Sequence, residues 1–186
     1  MVLSPAAAQK TVFLTPRAGL NLANITSAGG NLRPGLNFGL SGEYLLARQW
    51  SAEAGLFYSM EGSQLPSPHL SPDLGYLCIP IEAKFYLTDG YDGTRGFFFH
   101  LGPQFNFALM RDKINYTAGH EQDDDLLTAS PTKGFAFSIV AGLGYLFPVG
   151  FQLSLNLDEG LSNINRMDSG YRNYVVQMNF GYRFSL

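Results

Sequence analysis

Charge is scarce in this chain of 186 residues: Asp, Glu, Lys and Arg make up 15%, against about 25% in an ordinary soluble domain. Lys and Arg total 12, Asp and Glu 15, and the formal net charge is -3, which excludes a strongly basic nucleic-acid binder. There is one cysteine, Cys78, so neither an intramolecular disulfide framework nor a cysteine-based zinc site can form. A helix-length apolar run is also missing. The stretch 134–157 carries no charge, but Gly142, Gly144, Pro148 and Gly150 interrupt it. Proline and paired glycine would cost a helix several kcal/mol, roughly. The stretch reads better as two strands joined by a turn at Phe147-Pro148-Val149-Gly150. Phosphate-loop, zinc-protease and dinucleotide-binding motifs do not occur.

What is abundant is aromatic and small. Phe and Tyr number 15 and 10, with 21 Gly and 10 Pro, too much glycine and proline for a helical bundle. Mean hydropathy is +0.00, too apolar for disorder and too polar for a bundle of membrane helices. The start, Met1 to Gln9, has neither a basic region nor a long apolar core. Ala6-Ala7-Ala8-Gln9 looks like the small-residue end of a cleaved export signal. The expected layout is a flexible tail over 1–10 and one domain over 11–186.

The dominant pattern is alternation with period two. In 35–46, Leu36, Phe38, Leu40, Tyr44 and Leu46 share one face, while Asn37, Gly39, Ser41 and Glu43 share the other. The same pattern recurs in 17–22, 51–61, 76–87, 97–109, 135–145, 151–158 and 174–185. Eight segments of about 9–12 residues match the length a tilted strand needs to cross a bilayer. Connections alternate between long (near 25–34, 62–75, 111–133 and 160–173) and short (near 47–50, 88–95 and 147–150). The expectation is an all-β fold, an eight-stranded antiparallel up-and-down transmembrane barrel with both termini at the short-turn end.

Alternation alone does not say which face is inside. The polar face is poor in Lys and Glu and rich in Gly, Asn, Ser and Gln, which suits a packed lumen better than a wetted surface. The apolar face is almost free of charge and aromatic near the strand ends, as in the two interfacial belts of a membrane protein. The lumen of an eight-stranded barrel is just filled by side chains. Its ionisable residues include Arg17, Glu43, Glu53, Glu82, Lys84, His100 and Arg183. Glu43, Glu53 and Glu82 are expected to neutralise Arg17, Lys84 and Arg183, because an unpaired buried charge is costly.

Several stretches, namely Pro16-Arg17-Ala18-Gly19-Leu20-Asn21, Tyr76-Leu77-Cys78-Ile79-Pro80-Ile81-Glu82-Ala83-Lys84-Phe85-Tyr86, Gly102-Pro103-Gln104, Gly142-Leu143-Gly144-Tyr145 and Gly160-Leu161-Ser162-Asn163-Ile164, resemble the Bacteroidetes outer-membrane β-barrel family that includes PorT-like proteins. The resemblance implies an outer-membrane barrel of a diderm bacterium, exported behind a removed signal peptide, with a link to protein secretion and no catalytic residues. Members are often labelled porin-family. The ending departs from the family in closing on Leu186 instead of an aromatic residue.

Outside the strands, His120, Glu121, Asp123, Asp124 and Asp125 form the one acidic cluster. It reads first as a solvated loop and second as a surface for a divalent cation. Ser67, His69 and Asp73 lie within one loop, without the strand-held geometry of a catalytic triad. No cofactor is expected. Expected partners are outer-membrane lipid or lipopolysaccharide and another outer-membrane or periplasmic protein, with no nucleic acid. The leading reading is a plugged barrel with a structural or partner-binding role. A small-solute channel is the alternative, and a lipid-modifying enzyme comes after it.

Overall fold

In a computed structural model of the chain, described for residues 12–25, 32–62, 73–87, 96–111, 134–162 and 173–186, the alternating segments become strands. They are β1 (Val12–Ile25), β2 (Arg33–Leu45), β3 (Trp50–Gly62), β4 (Asp73–Tyr86), β5 (Gly96–Arg111), β6 (Phe135–Leu146), β7 (Phe151–Gly160) and β8 (Asn173–Tyr182), with a two-residue continuation, β9 (Phe184–Ser185). Each strand pairs antiparallel with the next, and β1 pairs with both β2 and β8. The sheet is therefore a closed eight-stranded barrel with no free edge, the form that satisfies every strand's backbone in lipid.

The face assignment follows from burial. Along β2, Leu36, Phe38 and Leu40 are 54%, 56% and 44% exposed, while Asn37, Ser41 and Glu43 are buried. Phe180 points outward in the same way. Phe105 is half-covered because it packs on the outward rings of Phe135 and Phe137. The apolar side chains thus clothe the exterior and the polar ones fill the middle, as alternation and composition predicted.

Aromatic rings gather at both ends of the outer wall. At the turn end Trp50 meets Phe85 at 4.9 Å, Phe97 meets Tyr145 at 4.9 Å and Phe151 meets Tyr182 at 5.2 Å between centroids. At the loop end Phe38 meets Tyr58 at 5.5 Å and Phe107 meets Phe135 at 5.3 Å. Their flat amphipathic rings suit the headgroup region.

The turn expected at 147–150 is present. Gly150 takes φ +96° and donates its N–H to the Phe147 carbonyl at 2.9 Å, a conformation that favours glycine. One strand begins earlier than the alternation indicates. β1 starts at Val12, not at Arg17, because Pro16 keeps its pairing with Leu40 of β2. Towards the other neighbour the ladder skips: Arg17 pairs with Gly181 and Leu14 with Phe184, but the positions between do not pair. Pro16 brings no N–H to that edge, so the last strand is split into β8 and β9. The Leu186 N–H donates to the Val12 carbonyl at 3.1 Å and completes the closure at the turn end.

Candidate functional site

The barrel lumen concentrates the polar chemistry of the described residues, and it is layered. At the turn end Tyr86, Phe98 and Leu146 form a buried apolar floor. The Arg183 guanidinium lies 3.4 Å above the Phe13 ring. These groups point inward although they are large and apolar, so the lumen-facing positions are not uniformly polar.

Above the floor lies the ionic layer. Lys84, the centre of it, comes from β4; its Nζ is 3.1 Å from Glu43 Oε2 and 2.7 Å from Glu53 Oε2. Arg17 pairs with Glu53 through Nη2, and Arg183 Nε lies 3.7 Å from Glu43 Oε2. The contacts run from Arg17 to Glu53, Lys84, Glu43 and Arg183, with opposite signs alternating. Ser51 Oγ and Tyr86 Oη each donate to Glu43 Oε1 at 2.6 Å. Two cations also lie over rings, Lys84 at 4.5 Å from Phe98 and Arg17 at 4.6 Å from Phe57, contacts that stabilise a desolvated cation. Such a layer holds together because every member has a partner; removing one would strand a charge.

Glu82 does not take the role the sequence suggested. Its carboxylate stands 3.1 Å from His100 Nδ1, while Arg17, Lys84 and Arg183 are shared between Glu43 and Glu53. The other ring nitrogen of His100 lies 3.1 Å from Asn156 Oδ1. Register explains the pairing. Lys84 stands beside His100 across β4 and β5, and Glu53 stands beside Glu82 across β3 and β4. Two adjacent carboxylates therefore turn to different partners.

Glycines directly paired with these residues on the neighbouring strand make room for their side chains. A Cβ at Gly142 would lie 2.2 Å from His100 Nε2, one at Gly144 2.3 Å from Phe98 Cζ, and one at Gly181 2.7 Å from Arg17 Cγ. On β6 and β8 the bare backbone lets the side chains of His100, Phe98 and Arg17 lean over their paired neighbours.

Towards the loop end amides and hydroxyls surround two further carboxylates, Asp158 and Glu61. Gln104 donates to Asn106 Oδ1 at 2.9 Å and to the Asp158 carboxylate, and Asn106 donates to Ser138 Oγ at 2.9 Å. Asn21 donates to Ser59 Oγ, and Ser59 donates to Glu61 Oε1, both at 2.8 Å. Asn173 of β8 reaches across to Glu61. Between the two layers lies a cavity of about 20 Å³, room for about one water.

Glu61 and Tyr86 belong to this interior and were not among the expected site residues. Glu61 shares the parity of Glu53 and Ser59, which was the available signal. Tyr86 likewise shares the parity of Glu82 and Lys84. His120, Glu121, Asp123, Asp124, Asp125, Ser67 and His69 lie outside the described residues, as does the tail 1–10. Among the described residues no group of three His, Cys, Asp or Glu could hold a metal ion.

Comparison with known proteins agrees with this architecture. Three solved structures share the fold. Ail, the attachment invasion locus protein of Yersinia pestis, aligns with TM-score 0.55 and 15% identity over 94% of this chain and 99% of its own. Neisserial surface protein A gives 0.53 and 15% over 93% and 97%. OprG of Pseudomonas aeruginosa gives 0.50 and 13% over 96% and 98%. Identity at this level speaks for the fold alone. No curated protein matches the sequence. The family model for the outer membrane protein beta-barrel domain matches residues 7–166, and the chain belongs to that family, an integral outer-membrane barrel.

Proposed function

We propose that this barrel is a non-conducting membrane scaffold of the PorT-like, Bacteroidetes type. Its segments near 62–75 and 111–133 would present a contact surface to another envelope protein, in a role linked to secretion. The cluster His120, Glu121, Asp123, Asp124 and Asp125 would form part of that surface, since loops on a rigid support are where recognition is placed. The observation that carries the reading is the filled lumen. Five ionic side chains interlock at the turn end, an apolar floor lies beneath them, and the cavity above them holds about 20 Å³. An eight-stranded barrel filled in this way supports a protein surface better than a solute path. A lipid-modifying activity would need a nucleophile and base held on the rim, and the described strands offer no such pair.

Planar-bilayer recording on the purified protein tests the closed state. Traces at the level of bare-membrane leak are expected. Steady discrete openings would return the chain to a small-solute channel. Copurification from native outer membranes tests the scaffold half. One protein travelling with the intact barrel and lost on deletion of 112–133 is expected.

A further inference from the structure

Two turns described at the short-turn end differ in their chemistry. The link between β2 and β3, Leu46-Ala47-Arg48-Gln49, carries a charge, and Arg48 is exposed. The link between β6 and β7, Phe147-Pro148-Val149-Gly150, has no polar side chain. Phe147 is 43% and Val149 65% exposed, and side chains of this kind gain by leaving water.

The backbone of the second turn is largely satisfied from within. The Phe147 N–H donates to the Phe151 carbonyl at 2.8 Å, and the Gly150 N–H donates to the Phe147 carbonyl at 2.9 Å. Pro148 has no N–H to satisfy. The Gly150 carbonyl accepts from the Arg183 N–H at 2.8 Å. Among the described residues, that leaves the Val149 N–H and the carbonyls of Pro148 and Val149 for the surroundings. Hydrated headgroups can meet these groups; bare hydrocarbon cannot.

The neighbouring wall continues the apolar surface. Tyr145 meets Phe147 at 4.8 Å, Phe151 meets Tyr182 at 5.2 Å and Tyr182 meets Phe184 at 4.7 Å between centroids. From Phe97 to Phe184 the outward face at this end has no charged side chain among the described residues. Arg183 is turned inward onto the Phe13 ring. The strand order puts the two turns on opposite sides of the ring.

We infer that the β6–β7 turn is a lipid anchor. Phe147 and Val149 enter the boundary between headgroups and acyl chains in the leaflet at the short-turn end, while Arg48 on the opposite rim stays in water. The barrel axis therefore leans towards β6 and β7. The occupant is phospholipid, because the turn is continuous with the wall that already meets the bilayer, and its neighbouring rings favour that boundary. The contact uses no cation, so it needs no acidic lipid, and a neutral phosphatidylcholine membrane suffices. A protein partner fits less well, since the turn has no charged or polar side chain to fix an orientation.

The test places a cysteine in each turn, Val149→Cys or Arg48→Cys, and couples it to the fluorophore nitrobenzoxadiazole on the folded barrel in phosphatidylcholine vesicles. Cys78 is buried, and the native protein taken through the same labelling measures its background. Iodide is present on both sides of the membrane, so the direction of insertion does not matter. Iodide is expected to quench the label at position 48 at least about threefold more strongly than the label at 149, and lipid brominated high on the acyl chain to give the reverse order, as an interfacial site requires. The same order is expected for Phe147→Cys against Arg48→Cys. Equal iodide quenching at 48 and 149 would place both turns in water and overturn the anchor. Strong iodide quenching at 149 in pure lipid that disappears in native outer membranes would assign the cover to a protein and overturn it as well.

Discussion

Replacing Lys84 with methionine is the sharpest probe of the lumen. Met keeps the length of the stem and removes the charge. In the native barrel Lys84 Nζ lies 3.1 Å from Glu43 and 2.7 Å from Glu53, and all three side chains are at most 1% exposed. After the change Glu53 retains Arg17, and Glu43 retains Arg183, Ser51 and Tyr86. Two carboxylates then share a dry layer with one cation fewer. Breaking a buried pair on one side costs about 3–5 kcal/mol, and the loss of the cation–ring contact with Phe98 adds about 1 kcal/mol. Retained partners offset part of this, so a loss near 3 kcal/mol is expected. Glu53→Gln in the Lys84→Met background should then cost much less than in the native protein, with a coupling of about 1–3 kcal/mol between the two sites. The assay is urea unfolding in lipid vesicles. It can be read from the emission of Trp50, the chain's one tryptophan, which sits half-exposed on the outer wall. A Lys84→Met loss under about 1 kcal/mol, or strict additivity in the double variant, would refute the reasoning, because the charges would then not depend on one another.

Two further outcomes follow from the packing of the two faces. Gly142→Ala places a Cβ 2.2 Å from His100 Nε2 and should cost about 1–3 kcal/mol through overpacking; Gly42→Ala, with nothing within 4 Å, should stay within about 0.5 kcal/mol in the same unfolding assay. Leu40→Arg puts a guanidinium into hydrocarbon near mid-wall, where Leu40 is 44% exposed, and should cost about 2–4 kcal/mol, seen as reduced insertion into vesicles.

Much of the fold could be read from the amino acids because alternation is a local signal. Leu36 beside Asn37, or Leu155 beside Asn156, declares two faces whatever the rest of the chain does. Deciding which face meets lipid needed the scarcity of Lys and Glu on the polar side together with the nearly charge-free apolar side, aromatic at its ends. The partners inside the lumen were a different matter. Glu82 was expected to neutralise an arginine or the lysine, yet it stands against His100. Which carboxylate meets which cation depends on the stagger between strands, and no single segment carries that information. Pro16 hid the first five residues of β1, since a proline reads as a boundary when only one edge of the strand is considered. Alternation places Tyr86 with Lys84 and Phe98 with His100 on the inner face, but that the two rings meet as a floor depends on the pairing of β4 with β5.

The distribution of the ionic residues along the chain also bears on how the cylinder can assemble. Glu43, Glu53 and Glu82 all come from β2 to β4, and that stretch contributes Lys84 as its own counter-charge. The two guanidiniums that complete the neutralisation come from opposite ends of the polypeptide: Arg17 from the first strand and Arg183 from the residue after β8. An intermediate sheet of the middle strands therefore carries surplus negative charge on the side that will become dry. That surplus disappears only when the two ends meet, so joining the termini is what makes the half-built wall electrically tolerable, and partly zipped forms are disfavoured by the same residues that later lock the finished one.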